Sequence, residues 1–433
     1  MKNLFVDELK WRGMIHDIMP ETEYHLNKEK TSGYIGFDPT SDSLHIGSLV
    51  QIIILMHFQR YGHTPLVLIG GATGMIGDPS GKSEERNLLD SETLEKNISG
   101  IKKQLTRFLN FKNKTNNSAK LLNNLDWTQK YSMIDFSREI GKHIPVNYMM
   151  SKDSVKKRIF GDSKKGMSFT EFTYQLLQAF DFLFLYQNYN CTIQMGGSDQ
   201  WGNITTGTEL IRRKINSKAY AITCPLLTNS DGSKFGKTEG GNIWLDKNKT
   251  STYKFYQYWL NCSDIDAEKY IKIFTFLDKD EIEKLISEHR KNPHLRELQK
   301  RVAEEVTILV HSNLDLENAK KASEILFGKS TSKDLISLDE NIFKEIFEGV
   351  PSKKIPKKDI NEGINIINLL FEKTNFLNSN GEARRAVKEN SISINKLKVD
   401  QNYKVTLNDL INNKYILIQK GKKNYFVIEF LDQ

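Results

Sequence analysis

Three sets of residues in this chain have the types and spacing to act on an anion and a polar ring. Lys234 and Lys237 lie three apart in DGSKFGKTEGGN, a segment with four glycines. Such a segment is expected to be mobile rather than structural, either a plain solvated turn or a loop that closes over an anion. His45 opens His45-Ile46-Gly47-Ser48 at the head of an amphipathic run over about residues 43–61. A helix N-terminus carries free N–H groups and about half a positive charge, so it seats phosphate. Gly47 would let a flat ligand lie against the backbone, and His45 is placed to donate a hydrogen bond to the anion. Taken alone, a His in a first helical turn is more simply a solvated cap, and only its company argues for more. Finally, Tyr174, Gln178 and Asp181 fall at i, i+4 and i+7 on one face of an otherwise apolar run over residues 168–189. Singly, the Tyr and the Gln could each just face solvent.

The elements that must carry these groups are legible. Residues 32–81 string an apolar strand (33–37), a turn of N-cap residues (Asp38-Pro39-Thr40-Ser41-Asp42), a helix, a second strand and a Gly-rich loop into one βαβ unit. The 168–189 helix opens with a capping box from Ser168 to Glu171. Residues 192–195 read as another strand, followed by the loop Gly196-Gly197-Ser198-Asp199-Gln200-Trp201-Gly202-Asn203 and a helix over 204–214. In parallel α/β sheets ligands collect at the carboxyl ends of strands, so this pattern points to a nucleotide enzyme. Two near-matches to a phosphate-cradling P-loop, Gly77 to Ser83 and Gly232 to Thr238, have three residues between the glycines where that loop has four. Pro79 interrupts the first, and no strand leads into the second.

Composition bounds the rest. A chain of 433 residues with 38% hydrophobic and 27% charged residues is long enough for two or three globular domains. Cys191, Cys224 and Cys262 have no CxxC or paired spacing, which argues against zinc and a disulfide framework and for a reducing compartment. No signal-type N-terminus and no apolar run approaching a membrane span is present, so a cytoplasmic protein without a membrane partner is expected. From Gly381 onward there are ten Lys or Arg against six Asp or Glu, which concentrates half of the net charge of +8 in about an eighth of the chain. Arg384, Arg385 and Lys388 fall on a helix there, residues 391–395 alternate as a strand does, and Lys420-Gly421-Lys422-Lys423 turns between strands at 415–418 and 425–430. A lysine run is often only a solvated surface, yet this tail is the natural nucleic-acid face. Residues 252–327 read as helices, with Leu298, Val302, Val306, Leu309 and Val310 as a core stripe. Residues 351–359, with two prolines and four lysines, read as a linker.

The chain resembles bacterial tyrosyl-tRNA synthetases, class I aminoacyl-tRNA synthetases, from about residue 30 to its end. The resemblance rests on GFDPTSDSLHIGSL, GGATGMIGDPSG, SFTEFTYQLLQAFD, QMGGSDQWGN, DGSKFGKTEGG and TSTYKFYQYWLN in that order. HIGS is similar to the family's HIGH motif, with Ser48 where a second His is usual, and KFGKT to its KMSKS motif in the form found in one bacterial branch. The implied fold is α/β: a Rossmann-like parallel-sheet catalytic domain (1–228) with a dimer-forming insertion at about 126–153, and the lysine loop at 229–250. An α-helical anticodon-recognition domain (251–330), a linker (331–362) and a small α+β RNA-binding domain of ribosomal-protein type (363–433) follow.

The implied activity is tyrosine–tRNA ligation: tyrosine and ATP give tyrosyl-adenylate and pyrophosphate, and the tyrosine then passes to the 3′-terminal ribose of tRNA. By resemblance, Tyr34 and Asp181 would bond the phenol hydroxyl and Tyr174, Gln178 and Asp78 the ammonium group. Asp38 and Gln200 would also line the amino-acid pocket. Thr40 and His45 would contact the ATP phosphates, with Gly47 and Ser48 beside them and Asp199 toward the ribose. Lys234 and Lys237 would close over the pyrophosphate. Mg²⁺ would come with ATP, held mostly by phosphate oxygens and water, with no tightly bound protein metal. Arg384, Arg385, Lys388, Lys420, Lys422 and Lys423 would hold tRNA, and the expected assembly is a homodimer with no DNA partner. A tryptophanyl enzyme is disfavoured, since indole has no group for both Tyr34 and Asp181. A non-catalytic RNA-binding or splicing protein on the same fold has only Ser48 in its favour.

Overall fold

The computed structural model describes residues 5–80, 89–112, 116–160, 166–238, 241–327, 332–347, 350–421 and 424–432. The chain forms two compact units, one from residues up to Thr250 with Tyr258–Val310, the other from Ser251–Gln257 with His311 onward. Of the helices expected over 251–330, those within 258–310 therefore belong to the first unit.

A six-stranded sheet is the frame of the first unit. Its strands are β1 (Asp17–Ile18), β2 (Ser32–Phe37), β3 (Thr64–Ile69), β4 (Lys120–Asn123), β5 (Cys191–Gly197) and β6 (Tyr220–Cys224). They lie in the order β1-β6-β5-β2-β3-β4, all pairs parallel except β1 with β6. Parallel strands covered on both faces must be apolar throughout, and Leu66 to Ile69 and all of β5 are buried. The chain order reverses between β2 and β5, and an open α/β sheet has its crevice at such a switch.

Helix α1 (Ile46–Arg60) follows β2, α2 (Phe169–Tyr189) precedes β5, and α3 (Trp201–Ile215) follows it. Ser168 and Glu171 make the expected capping box at the start of α2, and Asn190 ends that helix in the left-handed region at φ 50°. Glu171 also takes both arms of buried Arg158, at 2.9 and 2.8 Å, fastening the helix Asp153–Phe160 to the first turn of α2. The glycine loop after β5 is shorter than its sequence suggests: Gly196 and Gly197 extend the strand, and α3 starts at Trp201. Helices α4 (Asp264–Phe274), Lys279–Lys291 and α5 (Glu297–Val310) complete the unit. In α5, Leu298, Val302, Val306 and Val310 are buried and Leu309 is half-buried.

The second unit holds a five-stranded sheet of β7 (Ser352–Pro356), β8 (Ile392–Ile394), β9 (Leu397–Lys398), β10 (Tyr415–Lys420) and β11 (Asn424–Leu431), ordered β9-β8-β10-β11-β7. The stretch expected to be a linker thus supplies an edge strand, parallel to β11. Alternation decides the matter: Ile355 points into a core of Ile392, Ile394, Ile416, Ile418, Ile428 and Phe430, while Lys354 beside it faces out. Pro356 is tolerated because it lies at the sheet edge. Helix α6 (Asn380–Lys388) covers this core with Ala383, Ala386 and Val387. No helix among the described residues is long and apolar enough to cross a membrane.

Candidate active site

The crevice between β2 and β5 is a cavity lined by Tyr34, Asp38, Thr40, Asp78, Tyr174, Gln178, Asp181, Asp199 and Gln200, with Gln51 and Gln194 beside them. Every residue expected to bind the amino acid is therefore in one place. Several elements supply them: Tyr34 comes from β2, Tyr174, Gln178 and Asp181 from one face of α2, and Asp199 and Gln200 from the turn after β5.

The closed end of the pocket is built around Asp181, 2% exposed. Burial pushes its pKa up to about 7, against the stabilising pull of two donors. These are the Asn124 amide, 2.9 Å from Oδ2, and the Trp127 indole N–H, 2.8 Å from Oδ1. Tyr34 stands opposite, its hydroxyl buried with no hydrogen-bond partner among the described residues. Burial and the charge of Asp181 push that phenol well above its ordinary pKa. An unpaired buried hydroxyl beside a buried carboxylate is costly unless something polar enters between them.

At the open end the carboxylates are already engaged. Tyr174 donates to Asp38 Oδ2 at 2.8 Å and Thr73 to Oδ1 at 2.7 Å. Gln200 donates to Asp78 Oδ2 at 2.6 Å, and Asn203 lies between Asp78, Ser80 and Gln200. Two carboxylates held by oriented donors suit an ammonium ligand. Asp199 sits exposed at the lip.

A second cavity shares Gly36, Asp38, Thr40 and Gln51 with the first and extends past Ser43, His45, Ser48, Asn242 and Trp244. Here the N-terminus of α1 is capped by His45, whose Nδ1 accepts from Gly47 N–H at 3.0 Å. Burial, and then the charge of Lys237, lowers the pKa of His45. Neutral at pH 7 with Nδ1 accepting, the ring carries its proton on Nε2 and can donate it. At Gly47 a Cβ would stand 2.6 Å from His45 Cε1, so the missing side chain makes room for the histidine ring.

Lys234 and Lys237 are exposed and reach the same region, because the backbone after them is stitched to α1. Ile46 N–H donates to Ile243 O at 3.0 Å, Leu245 N–H to Leu44 O at 2.8 Å, and Lys237–Thr238 pairs with Gly241–Asn242. Phe235 between the lysines is buried. In the second unit Arg384, Arg385 and Lys388 are exposed on α6, opposite its buried alanines. Lys420 is partly engaged by Glu382 at 2.9 Å, and Lys422 and Lys423 lie outside the described residues.

Sequence reasoning missed Asn124, Trp127, Thr73, Asn203 and Gln51. Asn124 and Trp127 carried one usable signal: they follow the carboxyl end of β4, where ligands collect. Thr73, Asn203 and Gln51 sit within regular elements, and nothing in their spacing marks them.

Comparison with known proteins places this geometry. Residues 26–328 match the class I tRNA synthetase family of the tryptophan and tyrosine enzymes, and residues 343–428 match the C-terminal domain of tyrosine–tRNA ligases. The chain is 64% identical to a tyrosine–tRNA ligase of Flavobacterium johnsoniae over 99% of both chains. It is 59% identical to that of Bacteroides fragilis, over 98% of this chain and 99% of the relative. Among solved structures, a C-terminally truncated mitochondrial tyrosyl-tRNA synthetase of Aspergillus nidulans superposes with a TM-score of 0.66 at 31% identity, covering 75% of this chain and 94% of that one. With such identity running through both units, the chain belongs to the tyrosine–tRNA ligases of the class I synthetase family.

Proposed function

We infer that the chain activates L-tyrosine with ATP, releasing pyrophosphate, and then transfers the tyrosine from the adenylate to the 3′-terminal ribose of its tRNA. The observation that carries the choice of amino acid is the buried Tyr34 hydroxyl beside Asp181. A phenol bridging the two satisfies both, whereas phenylalanine would leave two buried polar groups unpaired, a kind of discrimination for which this family is a standard example. Tyr174, Gln178 and Asp78 hold the ammonium group, with Asp38 and Gln200 completing the pocket wall.

ATP enters as its Mg²⁺ complex, the ion belonging to the substrate. The α-phosphorus then meets the tyrosine carboxylate where the two cavities share Gly36, Asp38, Thr40 and Gln51. A carboxylate oxygen attacks that phosphorus and the bond to pyrophosphate breaks in line. Thr40 and His45 Nε2–H donate to phosphate oxygens, Gly47 and Ser48 form the adjoining wall, and Asp199 faces the ribose. Lys234 and Lys237 neutralise the departing charge. No general base is needed, since a displacement of this kind runs on positioning and charge stabilisation. No feature of the described residues favours the non-catalytic RNA-binding alternative.

Transfer needs tRNA held by the second unit, through Arg384, Arg385, Lys388 and the turn from Lys420 to Lys423. The working form is a cytoplasmic homodimer. Met133, Ile134 and Val146 support the dimer, being 74, 70 and 60% exposed in the 126–153 segment. Ile134→Glu should yield monomers in sedimentation equilibrium, and an unchanged mass would place the interface elsewhere. ATP–pyrophosphate exchange without tRNA tests the activation step. Exchange with tyrosine and not with phenylalanine or tryptophan is expected, and exchange with none of the three would remove the activity from this chain.

A further inference from the structure

The turn that leads into α1 carries Asp38, Thr40 and His45, and one face of a neighbouring helix grips it at both ends. That helix, Ser91–Leu105, starts from Asp90, whose side chain accepts from Thr93 N–H. Asn97, Gly100, Ile101 and Gln104 fall at i, i+3, i+4 and i+7, so they share a face. Asn97, 5% exposed, donates through Nδ2 to Pro39 O at 3.0 Å. Gln104 is bound twice: its Oε1 accepts from Leu44 N–H at 2.8 Å, and its Nε2 donates to Ser43 Oγ at 2.8 Å. The Ser43 hydroxyl in turn donates to Leu44 O at 2.9 Å. Between the two amides the backbones nearly touch. A Cβ on Gly100 would overlap Asp42 O and stand 2.9 Å from Asp42 C, so only glycine lets the turn lie against this helix. Ile101 is buried and borders the cavity that runs past Thr40, His45 and Ser48. Pro39 is closed in from another side as well, since a Cβ on Gly74 would stand 2.9 Å from Pro39 Cδ.

We propose that Asn97, Gly100 and Gln104 are positioning residues for the activation step, clamping the 39–44 turn so that Thr40 and His45 meet the ATP phosphates together. This rests on the reading that Thr40 and His45 contact those phosphates. Asn97 and Gln104 line neither cavity, and their bonds go to the backbone of the turn and to Ser43, so they act through the turn and not on the substrate. A displacement of about 1 Å in a group that must meet a reacting phosphate can cost about 100-fold in rate. The Asp38 carboxylate stands apart from the clamp, because Tyr174 and Thr73 hold it separately. Loss of the clamp should therefore reach the phosphate contacts and spare the amino-acid pocket.

The test is tyrosine-dependent ATP–pyrophosphate exchange in Gln104→Leu, Gln104→Glu, Gly100→Ala, Asn97→Ala and His45→Ala, with thermal unfolding of each. Gln104→Leu keeps the bulk and removes both contacts, so it should lower kcat by about 10- to 100-fold and leave the KM for tyrosine within about twofold. Gln104→Glu still accepts from Leu44 N–H, and the Ser43 hydroxyl can turn to donate to it, so kcat should recover to within about threefold of the parent. Gly100→Ala keeps both amides but pushes on Asp42, and should lower kcat by about 10-fold. Asn97→Ala removes one donor and should lower it by about 3- to 10-fold. A kcat within about twofold of the parent in folded Gln104→Leu, or in Asn97→Ala should the leucine variant not fold, overturns the proposal. So does a Gln104→Glu enzyme as slow as Gln104→Leu, or a KM for tyrosine that climbs as kcat falls. His45→Ala separates the two layers. If it exchanges at the parental rate, the role given to the turn at the phosphates fails first. If His45→Ala is impaired and Gln104→Leu is not, only the clamp is wrong.

Discussion

Asp181 is where burial and function pull in opposite directions. A pKa of about 7 means the empty pocket holds a proton part of the time near neutrality, although the carboxylate is the stronger acceptor for the phenol. In the unfolded chain the group titrates near about 3.9, so the folded state binds the extra proton between that value and about 7. The tyrosine-free protein should therefore lose stability as pH rises from about 4 to about 7, and Asp181→Asn should flatten that slope in urea unfolding across the range. Tyrosine binding should run the other way. Its KM should fall as pH rises and level off above about 7, because the ionised form accepts the hydroxyl more strongly. Trp127→Phe removes the donor at 2.8 Å and should move the midpoint to higher pH; a midpoint that stays put would show the indole N–H is irrelevant to the charge. Tyr34, Asp181 and their neighbours in the pocket were legible in the sequence. Asn124 and Trp127 were not, because an amide and an indole acquire this role only when the end of β4 meets α2 in space.

Short helical starts carry the site, and each can be broken singly. Gly47→Ala should leave helix content unchanged while displacing the His45 ring. Exchange should drop on the order of 100-fold, with circular dichroism as the control for folding. An exchange rate equal to the parent's would mean the ring has another place to go. Glu171→Ala leaves the Arg158 guanidinium buried and unpaired, which should cost about 3–5 kcal/mol of unfolding free energy, well beyond the roughly 1 kcal/mol of a lost N-cap alone. A loss no larger than a cap would indicate that water reaches Arg158. Helices announced themselves through period and caps, as at Ser168, where both halves of the capping box are present. The strand at Ser352–Pro356 did not, because lysines and prolines mask a single inward isoleucine, and its partner β11 is distant in sequence. The packing of Phe235 was hidden for a similar reason: the turn's glycines are visible in the sequence, whereas Tyr258 and Phe274, which meet the ring, lie further along the chain.

On the scale of the molecule, the proposal that tRNA is held by the second unit while activation needs only the first can be read out. Replacing Arg384 and Arg385 with alanine should weaken tRNA binding and lower the dependence of log affinity on log salt by about one for each phosphate no longer neutralised. Amino-acid activation should not change. An altered exchange rate would count against the division of labour. The net charge of +8 is consistent with this, since half of it lies from Gly381 onward. The pairing of β7 with β11 has a further consequence, for the order in which the protein is made. All of the first unit's sequence has been synthesised once Val310 is reached, so tyrosine activation can be assembled while the remainder is still being translated. Ser352–Pro356, by contrast, emerges early and waits without its partner until Asn424–Leu431 follows. The adjacent Lys353 and Lys354 keep that waiting strand from sticking to its neighbours on a crowded polysome.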